Sequence, residues 1–284
     1  MKLIVDSGST TTDWCIVSGS NIQTVQTNGL NPFFTTQVKV EKEIRNQSLL
    51  RNHHDKIREI YFYGAGCGTE KNDALIRSAL HRIFSKADLW VYTDLLGAAR
   101  GLFQNEQGIV CILGTGSNSG YYNGQEITEK IPSLGYILGD EGSGNHFGKE
   151  LLKSYFFRKL PDDLLKQFRE KYVSESGGLL QQLYAAKYPN IHLSGYTDFV
   201  IEHQSHSYIK KMAGKIFEEF IKMLKSYYST EQLQKSIRFT GSVSWYLKDI
   251  LQSTGAEQNI LIDKTERSPM AGLIEFHETK KMKY

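Results

Sequence analysis

The chain has 284 residues, with 34 basic against 31 acidic side chains and a formal net charge of +3. That length allows one large domain or two of ordinary size. So small a net charge excludes a partner chosen by bulk electrostatics, such as nucleic acid or an anionic membrane.

Three scattered cysteines, Cys15, Cys67 and Cys111, lie in no metal-type spacing and read as reduced thiols. The apolar run before Asp6, Leu3 to Val5, is too short for a signal-peptide core. No run of ~18 apolar residues is available to span a membrane. The expectation is a soluble cytoplasmic protein. Lys280, Lys281 and Lys283 read as a solvated basic tail.

In chain order, Leu3–Val5 and Trp14–Val17 read as strands around a polar turn, with Ile22–Thr27 as a third. Asn28 to Pro32 is a loop, and 36–50 a helix. Ile60–Tyr63 is a strand ending at Gly64-Ala65-Gly66-Cys67-Gly68, followed by helix 74–84. Leu89–Tyr92 is a strand ending at Thr93-Asp94, with a helix over 95–103.

The pattern then restarts. Ile109–Leu113 runs into Gly114-Thr115-Gly116-Ser117-Asn118, a return strand begins at Tyr121, and Asn123-Gly124 is a hairpin turn signal. Residues 145–228 are helical by pattern, apart from an irregular gap near 187–194. Ile237–Thr240 is the last clear strand, with a helix over 245–251. The repeated strand–glycine turn–strand suggests an internal duplication, and strands followed by helices imply an α/β architecture. Ligands in such sheets sit beyond the carboxyl ends of strands, where Asp6, Gly64, Asp94, Gly114 and Gly241 all fall.

Asp6-Ser7-Gly8-Ser9-Thr10-Thr11-Thr12-Asp13 combines a glycine turn, whose backbone N–H groups can cradle an anion, with several hydroxyls. Asp6 is placed to hold a hydrated Mg²⁺. The plainer account is a polar hairpin turn. Gly114-Thr115-Gly116 offers the same physics again. A Rossmann fingerprint is excluded, because residue 119 is Ser and strand rather than helix follows. Gly148-Lys149 is a false Walker A, lacking the first glycine and carrying Glu150 where Ser or Thr belongs; it reads as the start of a helix with a solvated lysine. Asp94 is a candidate general base or a helix cap. Asp140, within Gly139-Asp140-Glu141-Gly142-Ser143-Gly144, is a candidate sugar ligand or a helix cap.

Taken together, DSGSTTTDW (6–14), GLNP (29–32), YTDLLGAAR (92–100), ILGTGSNSG (112–120), GDEGSG (139–144), FTGSV (239–243) and SPMAGLI (268–274) resemble the N-acetylglucosamine kinase family. That family lies within the BadF/BadG/BcrA/BcrD-type ATPases of the sugar kinase–Hsp70–actin superfamily. The resemblance spans nearly the whole chain, and GTGSN followed by GDEGSG is its most specific element.

It implies two ribonuclease-H-like α/β lobes, about 1–106 and 107–284, with a helical insertion in the second and an active-site cleft between them; the last helix would pack back on the first. It also implies ATP and Mg²⁺ as cofactors. Asp6 would position Mg²⁺ through water, with Gly8, Ser9, Thr10 and Thr11 around the phosphates. Gly114, Thr115 and Gly116 would form a second phosphate loop, and Gly241, Ser242 and Val243 would border adenosine. Asp94 would be the catalytic base. Asn31, Gly64, Gly66, Asn118 and Asp140 would line the sugar. Leu134 stands where better-known animal members carry tryptophan beside the N-acetyl pocket.

The implied reaction moves the γ-phosphoryl group of ATP to an amino sugar, by analogy the 6-hydroxyl of N-acetylglucosamine. The partner is therefore a small molecule, with a homodimer allowed for. Two rivals are an ATPase activating a 2-hydroxyacyl-CoA dehydratase or benzoyl-CoA reductase type system, which would need cysteine-held iron–sulfur chemistry, and a non-catalytic actin-like ATP-binding protein.

Overall fold

The computed structural model describes residues 1–173 and 178–279. The basic tail, Lys280, Lys281 and Lys283, lies outside the described residues.

The chain divides into two compact units. The first comprises Met1–Gln107, Tyr122–Thr128 and the segment from Ser268 onward; the second comprises Gly108–Tyr121 and Glu129–Arg267. Each is built on a five-stranded sheet. In the first, β1 (Lys2–Ser7), β2 (Thr11–Ser18), β3 (Asn21–Asn28), β4 (Glu59–Gly64) and β5 (Asp88–Thr93) lie in the order β3-β2-β1-β4-β5. The first three strands run antiparallel, and β4 and β5 join in parallel. In the second, β6 (Gly108–Leu113), β7 (Ser117–Tyr122), β8 (Ile127–Lys130), β9 (Ser236–Thr240) and β10 (Ile262–Glu266) lie in the order β10-β9-β6-β7-β8. Replacing each strand of the first sheet by the one five places later reproduces this order. The β6–β9 and β9–β10 pairings are parallel, like β1–β4 and β4–β5. The expected duplication is thus one of topology, and both units are ribonuclease-H-like.

Sheet positions follow from side-chain alternation along the strands. Leu3, Val5, Trp14 and Ile16 bury one face of the first sheet with Val40, Ile44, Ile76 and Leu80. Ile4, Cys15, Val17 and Tyr63 bury the other with Leu273. The last helix, Met270–Thr279, therefore covers a face of the first unit's own sheet. Its carbonyl at His277 accepts from the Lys2 ammonium, which also pairs with Glu278 at 3.2 Å. The second core gathers Ile109, Cys111 and Leu113 with Phe147, Phe217, Phe220 and Phe239.

Four local expectations are corrected. Helix 36–50 is two helices, Gln37–Asn46 and Ser48–His53, because Gln47 takes extended backbone angles between them. The gap near 187–194 holds a helix, Pro189–Gly195, with proline at its first turn, where a missing N–H costs nothing. Helix 245–251 is also two, Ser242–Tyr246 and Lys248–Glu257. Gly148-Lys149 lies inside the helix Gly144–Phe156, and half-buried Lys149 donates to the Tyr136 carbonyl at 2.9 Å rather than standing in solvent.

Candidate active site

In the first unit three loops meet at the carboxyl end of β1. The turn after Ser7 closes with the Gly8 N–H on the Thr11 carbonyl at 2.9 Å. Gly29 donates to the Thr10 carbonyl at 2.8 Å, and a Cβ at Gly29 would strike the backbone of Gly8 and Ser9. Beneath the turn, the Ser7 and Thr12 hydroxyls pair at 2.8 Å, and Ser7 Oγ accepts from Leu30 N at 3.1 Å. These two hydroxyls brace the turn. Gly8, Thr10 and Thr11 stay exposed and Ser9 half-exposed.

Asn31 is buried, and its amide makes one hydrogen bond on each side, which leaves a second N–H and a second lone pair. Its Nδ2 donates to Ser9 Oγ at 3.0 Å, and its Oδ1 accepts from Phe33 N at 3.0 Å. Oδ1 is also the atom that a Cβ on Gly66 would meet. Asn31 therefore bonds to the Gly8–Thr11 turn and lies directly against Gly66 of the Gly64–Gly68 loop. The loop is fixed in turn by Asn72 on the Gly66 carbonyl at 2.7 Å and by Asp73 on Gly68 N at 2.8 Å.

Three carboxylates converge here. Asp6 on β1 pairs in register with Asp13 on β2, on the sheet face that carries Ile4 and Tyr63. Burial, then the charges of Asp13 and Asp94, push the Asp6 pKa up to about 7. The plainer account of Asp94 as a helix cap does not hold. The cap of helix Asp94–Phe103 is Thr93, whose hydroxyl accepts from Leu96 N at 3.2 Å. Asp94 is the first helical residue, and its Oδ1 accepts from Leu95 N at 2.8 Å. Burial and the charges of Asp73 and Asp94 push the Cys67 thiol up to about 12, so it is no thiolate nucleophile.

In the second unit, Gly114, Thr115 and Gly116 follow β6. Gly114 N donates to the Gly116 carbonyl at 3.0 Å. The carbonyls of Gly114 and Thr115 accept from the N–H groups of Gly144 and Asn145 at 2.8 and 3.1 Å, which joins this turn to the start of helix Gly144–Phe156. Gly241, at φ +114°, lies so close to the Leu113 carbonyl that a side chain is ruled out. Val243 is buried and Ser242 exposed beside it. Thus the Gly114, Gly139–Gly144 and Gly241 segments share one neighbourhood. Asn118 lies on β7 with its Oδ1 3.5 Å from the Ser133 hydroxyl.

Asp140 is not a cap either. Ser143 caps the helix, its Oγ accepting from His146 N at 3.4 Å. The Asp140 carboxylate turns to the glycine loop: its Oδ1 accepts from Ser117 N at 3.3 Å, its Oδ2 accepts from Asn145 Nδ2 at 2.9 Å, and Oδ1 stands 3.0 Å from where a Cβ on Gly116 would be. Asp140 also holds φ at +62°, a left-handed conformation that costs a non-glycine residue energy. Leu134, Ile137 and Leu138 are 60%, 74% and 73% exposed, an apolar strip just ahead of Asp140 in the chain. Sequence reasoning missed Asp13 and Asn145 as site members. Asp13 was visible within the DSGSTTTD run, but only strand register shows that it faces Asp6. Asn145 carried no signal.

Against this geometry, the chain matches along 99% of its length a solved structure named "Putative N-acetylglucosamine Kinase" from Porphyromonas gingivalis. Identity is 34%, 100% of that chain is covered, and the TM-score is 0.91. The chain belongs to the N-acetylglucosamine kinase-like family. Members of the wider fold are also similar. A structure bearing the same description from Chromobacterium violaceum matches at 15% identity and TM-score 0.70, over 97% of this chain and 98% of that one. A ROK family glucokinase from Streptomyces griseus, solved with glucose and AMPPNP, matches at 14% identity and TM-score 0.56, over 98% of each chain. At these identities the likeness is one of fold alone. No family model matches the chain, and no curated protein matches it.

Proposed function

We propose that this chain is an ATP-dependent sugar kinase that transfers the γ-phosphoryl group to an amino sugar, N-acetylglucosamine at its 6-hydroxyl. The carrying observation is the full-length match, at 34% identity, to the Porphyromonas gingivalis structure named "Putative N-acetylglucosamine Kinase". The glucokinase that shares the fold was solved with an ATP analogue, which supports ATP as donor.

Phosphoryl transfer demands positioning and charge neutralisation more than covalent chemistry from the protein. The exposed Gly8–Thr11 turn and the half-exposed Gly114–Gly116 turn offer hydroxyls, and backbone N–H groups other than those of Gly8 and Gly114, to phosphate oxygens. Gly241, Ser242 and Val243 border the adenosine side. Asp94 accepts the proton of the attacking hydroxyl. Asp140, with Asn31, Asn118, Gly64 and Gly66, lines the sugar.

Mg²⁺ fits the acidic side of the first unit. The charges of Asp13 and Asp94 add to the cost of ionising Asp6, which a divalent cation would relieve. Yet among the described residues no three His, Cys, Asp or Glu side chains form a metal cage. That suits an ion that phosphates and water would mainly carry; Asp6 would hold it, through water, and the ion would supply charge neutralisation.

Among the described residues, no helix is long and apolar enough to cross a membrane. The reading places the enzyme in the cytoplasm. The dehydratase-activator rival finds no support: Cys15 and Cys111 are buried in strand cores, which leaves Cys67 as the one partly exposed described thiol.

The test is ADP release with Mg-ATP across N-acetylglucosamine, glucosamine, N-acetylmannosamine and N-acetylmuramic acid, with product analysis by NMR. Turnover on N-acetylglucosamine yielding the 6-phosphate is expected. No turnover on any of the four would sink the proposal.

A further inference from the structure

Asn145 is 1% exposed, yet its amide is only half satisfied. Its Nδ2 donates to Asp140 Oδ2 at 2.9 Å, while its Oδ1 is buried without a hydrogen-bond partner. Rotating the amide by half a turn would set Oδ1 against a carboxylate oxygen and leave Nδ2 as the group without a partner. A buried carbonyl left unpaired lowers stability, whereas an apolar residue of similar shape would carry no such penalty. The side chain's hydrogen bond goes to Asp140, which is itself held in a strained left-handed conformation against the Gly116 turn. Two costs to stability therefore meet at one pair of residues, a pattern that belongs to functional sites.

Several groups bear on the Asp140 carboxylate. Burial raises its pKa. Asn145, the Ser117 N–H and the Lys149 charge act against that, in that order, and Glu141 adds slightly to the rise. Asn145 is the foremost of the opposing influences, and its amide also fixes which way Oδ2 points.

We propose that Asn145 is a positioning residue of the sugar site, holding the Asp140 carboxylate ionised and aimed so that it can accept the sugar's hydroxyl hydrogen bonds. This rests on the reading of Asp140 as a sugar ligand given above. Asn145 acts through Asp140 and need not touch substrate.

The experiment pairs Asn145→Ala with Asn145→Asp, using steady-state kinetics on the sugar and on ATP across pH, and ¹³C NMR titration of the Asp140 carboxyl. Asn145→Ala removes the donor. Its sugar KM should rise about tenfold, as for loss of a hydrogen bond to a charged group, with ATP KM unchanged. The acid limb of kcat/KM, and the NMR midpoint of Asp140, should both move to higher pH.

Asn145→Asp should behave oppositely. Two carboxyl groups within hydrogen-bonding distance share one proton, so the new side chain is protonated at moderate pH and donates to Asp140 as the amide did. Activity should return in that window and fail as pH rises through the pair's upper pKa, giving an alkaline limb that the wild type lacks. A residue that only packed would leave both profiles in place.

Wild-type pH profiles and sugar KM in both variants would overturn the assignment and leave the kinase reading standing. An unmoved Asp140 midpoint in Asn145→Ala would overturn it as well, even if that variant turned over poorly. A wild-type protein inactive on every sugar would overturn both together.

Discussion

Asp6 and Asp13 face each other across the β1–β2 ladder, paired in register on the same side of the sheet. Like charges directly opposite one another are destabilising in a sheet. The arrangement is therefore a cost to the fold that a bound cation would relieve.

The first prediction follows from that cost. The Asp6 pKa rises from the ordinary aspartate value of 3.8 to about 7 in the folded chain. Between these values the unfolded chain releases a proton that the folded chain keeps. Stability from this group therefore falls as pH rises through that window and stays low above it. Asp6→Asn is uncharged in both states. With no metal or nucleotide present, it should be more stable than wild type at pH 8, by roughly 2 kcal/mol once solvent access to a half-buried group is allowed for. The gap should close toward pH 4. Urea titrations at the two pH values measure it; a less stable variant at pH 8 would refute the account. The same variant should lose kinase activity.

Asp94→Asn should cost kcat about 10²–10⁴-fold, the usual contribution of a positioned base, with ATP affinity nearly unchanged. Thr93 supplies the helix cap, so the melting temperature should move little. Rapid-quench kinetics and calorimetry separate the two effects, and near-normal turnover would remove Asp94 from the chemistry.

Asp140→Gly offers a cleaner test than alanine. Glycine takes φ of +62° without strain, and Ser143 keeps the helix cap. Relief of that strain works against the cost of leaving Asn145 Nδ2 and Ser117 N without their acceptor, and in the folded variant the sugar KM should rise about 10- to 150-fold, as expected for losing a charged acceptor. Unchanged sugar KM would leave the carboxylate with no role beyond holding Ser117 and Asn145.

Gly116→Val should damage both ligand sites. A Cβ there lies 3.0–3.1 Å from both Asp140 carboxylate oxygens, and the branched side chain would also cover the phosphate-facing turn. ATP and sugar affinities should both fall in the folded variant. Selective loss of ATP binding alone would mean that Asp140 can move aside.

Much of this protein was legible before any contact was known. Of the ten strands among the described residues, β1, β2, β4, β5, β6 and β9 announce themselves as apolar runs ending in Gly or Asp turns, because burial on a sheet imposes such runs locally; β3 shows only in its alternation, and the return strand expected from Tyr121 instead spans Ser117–Tyr122, its polar Ser-Asn-Ser-Gly start having read as turn. The motif set likewise indicated the family and the candidate Asp6, Asp94 and Asp140. β8 and β10 were not legible, since Ile-Thr-Glu-Lys and Ile-Asp-Lys-Thr-Glu are short and largely polar, and edge strands need only one neighbour to exist. Without them the second sheet's order, and so the full duplication, stays hidden. Whether Asp94 and Asp140 are caps also depended on backbone geometry: Thr93 and Ser143 hold those positions, and sequence spacing does not distinguish adjacent capping candidates. The partnership of Asn145 with Asp140, and of Asp6 with Asp13, came from tertiary structure alone. Register and helix docking bring such side chains together, and neither is encoded in the local run of residues that surrounds them.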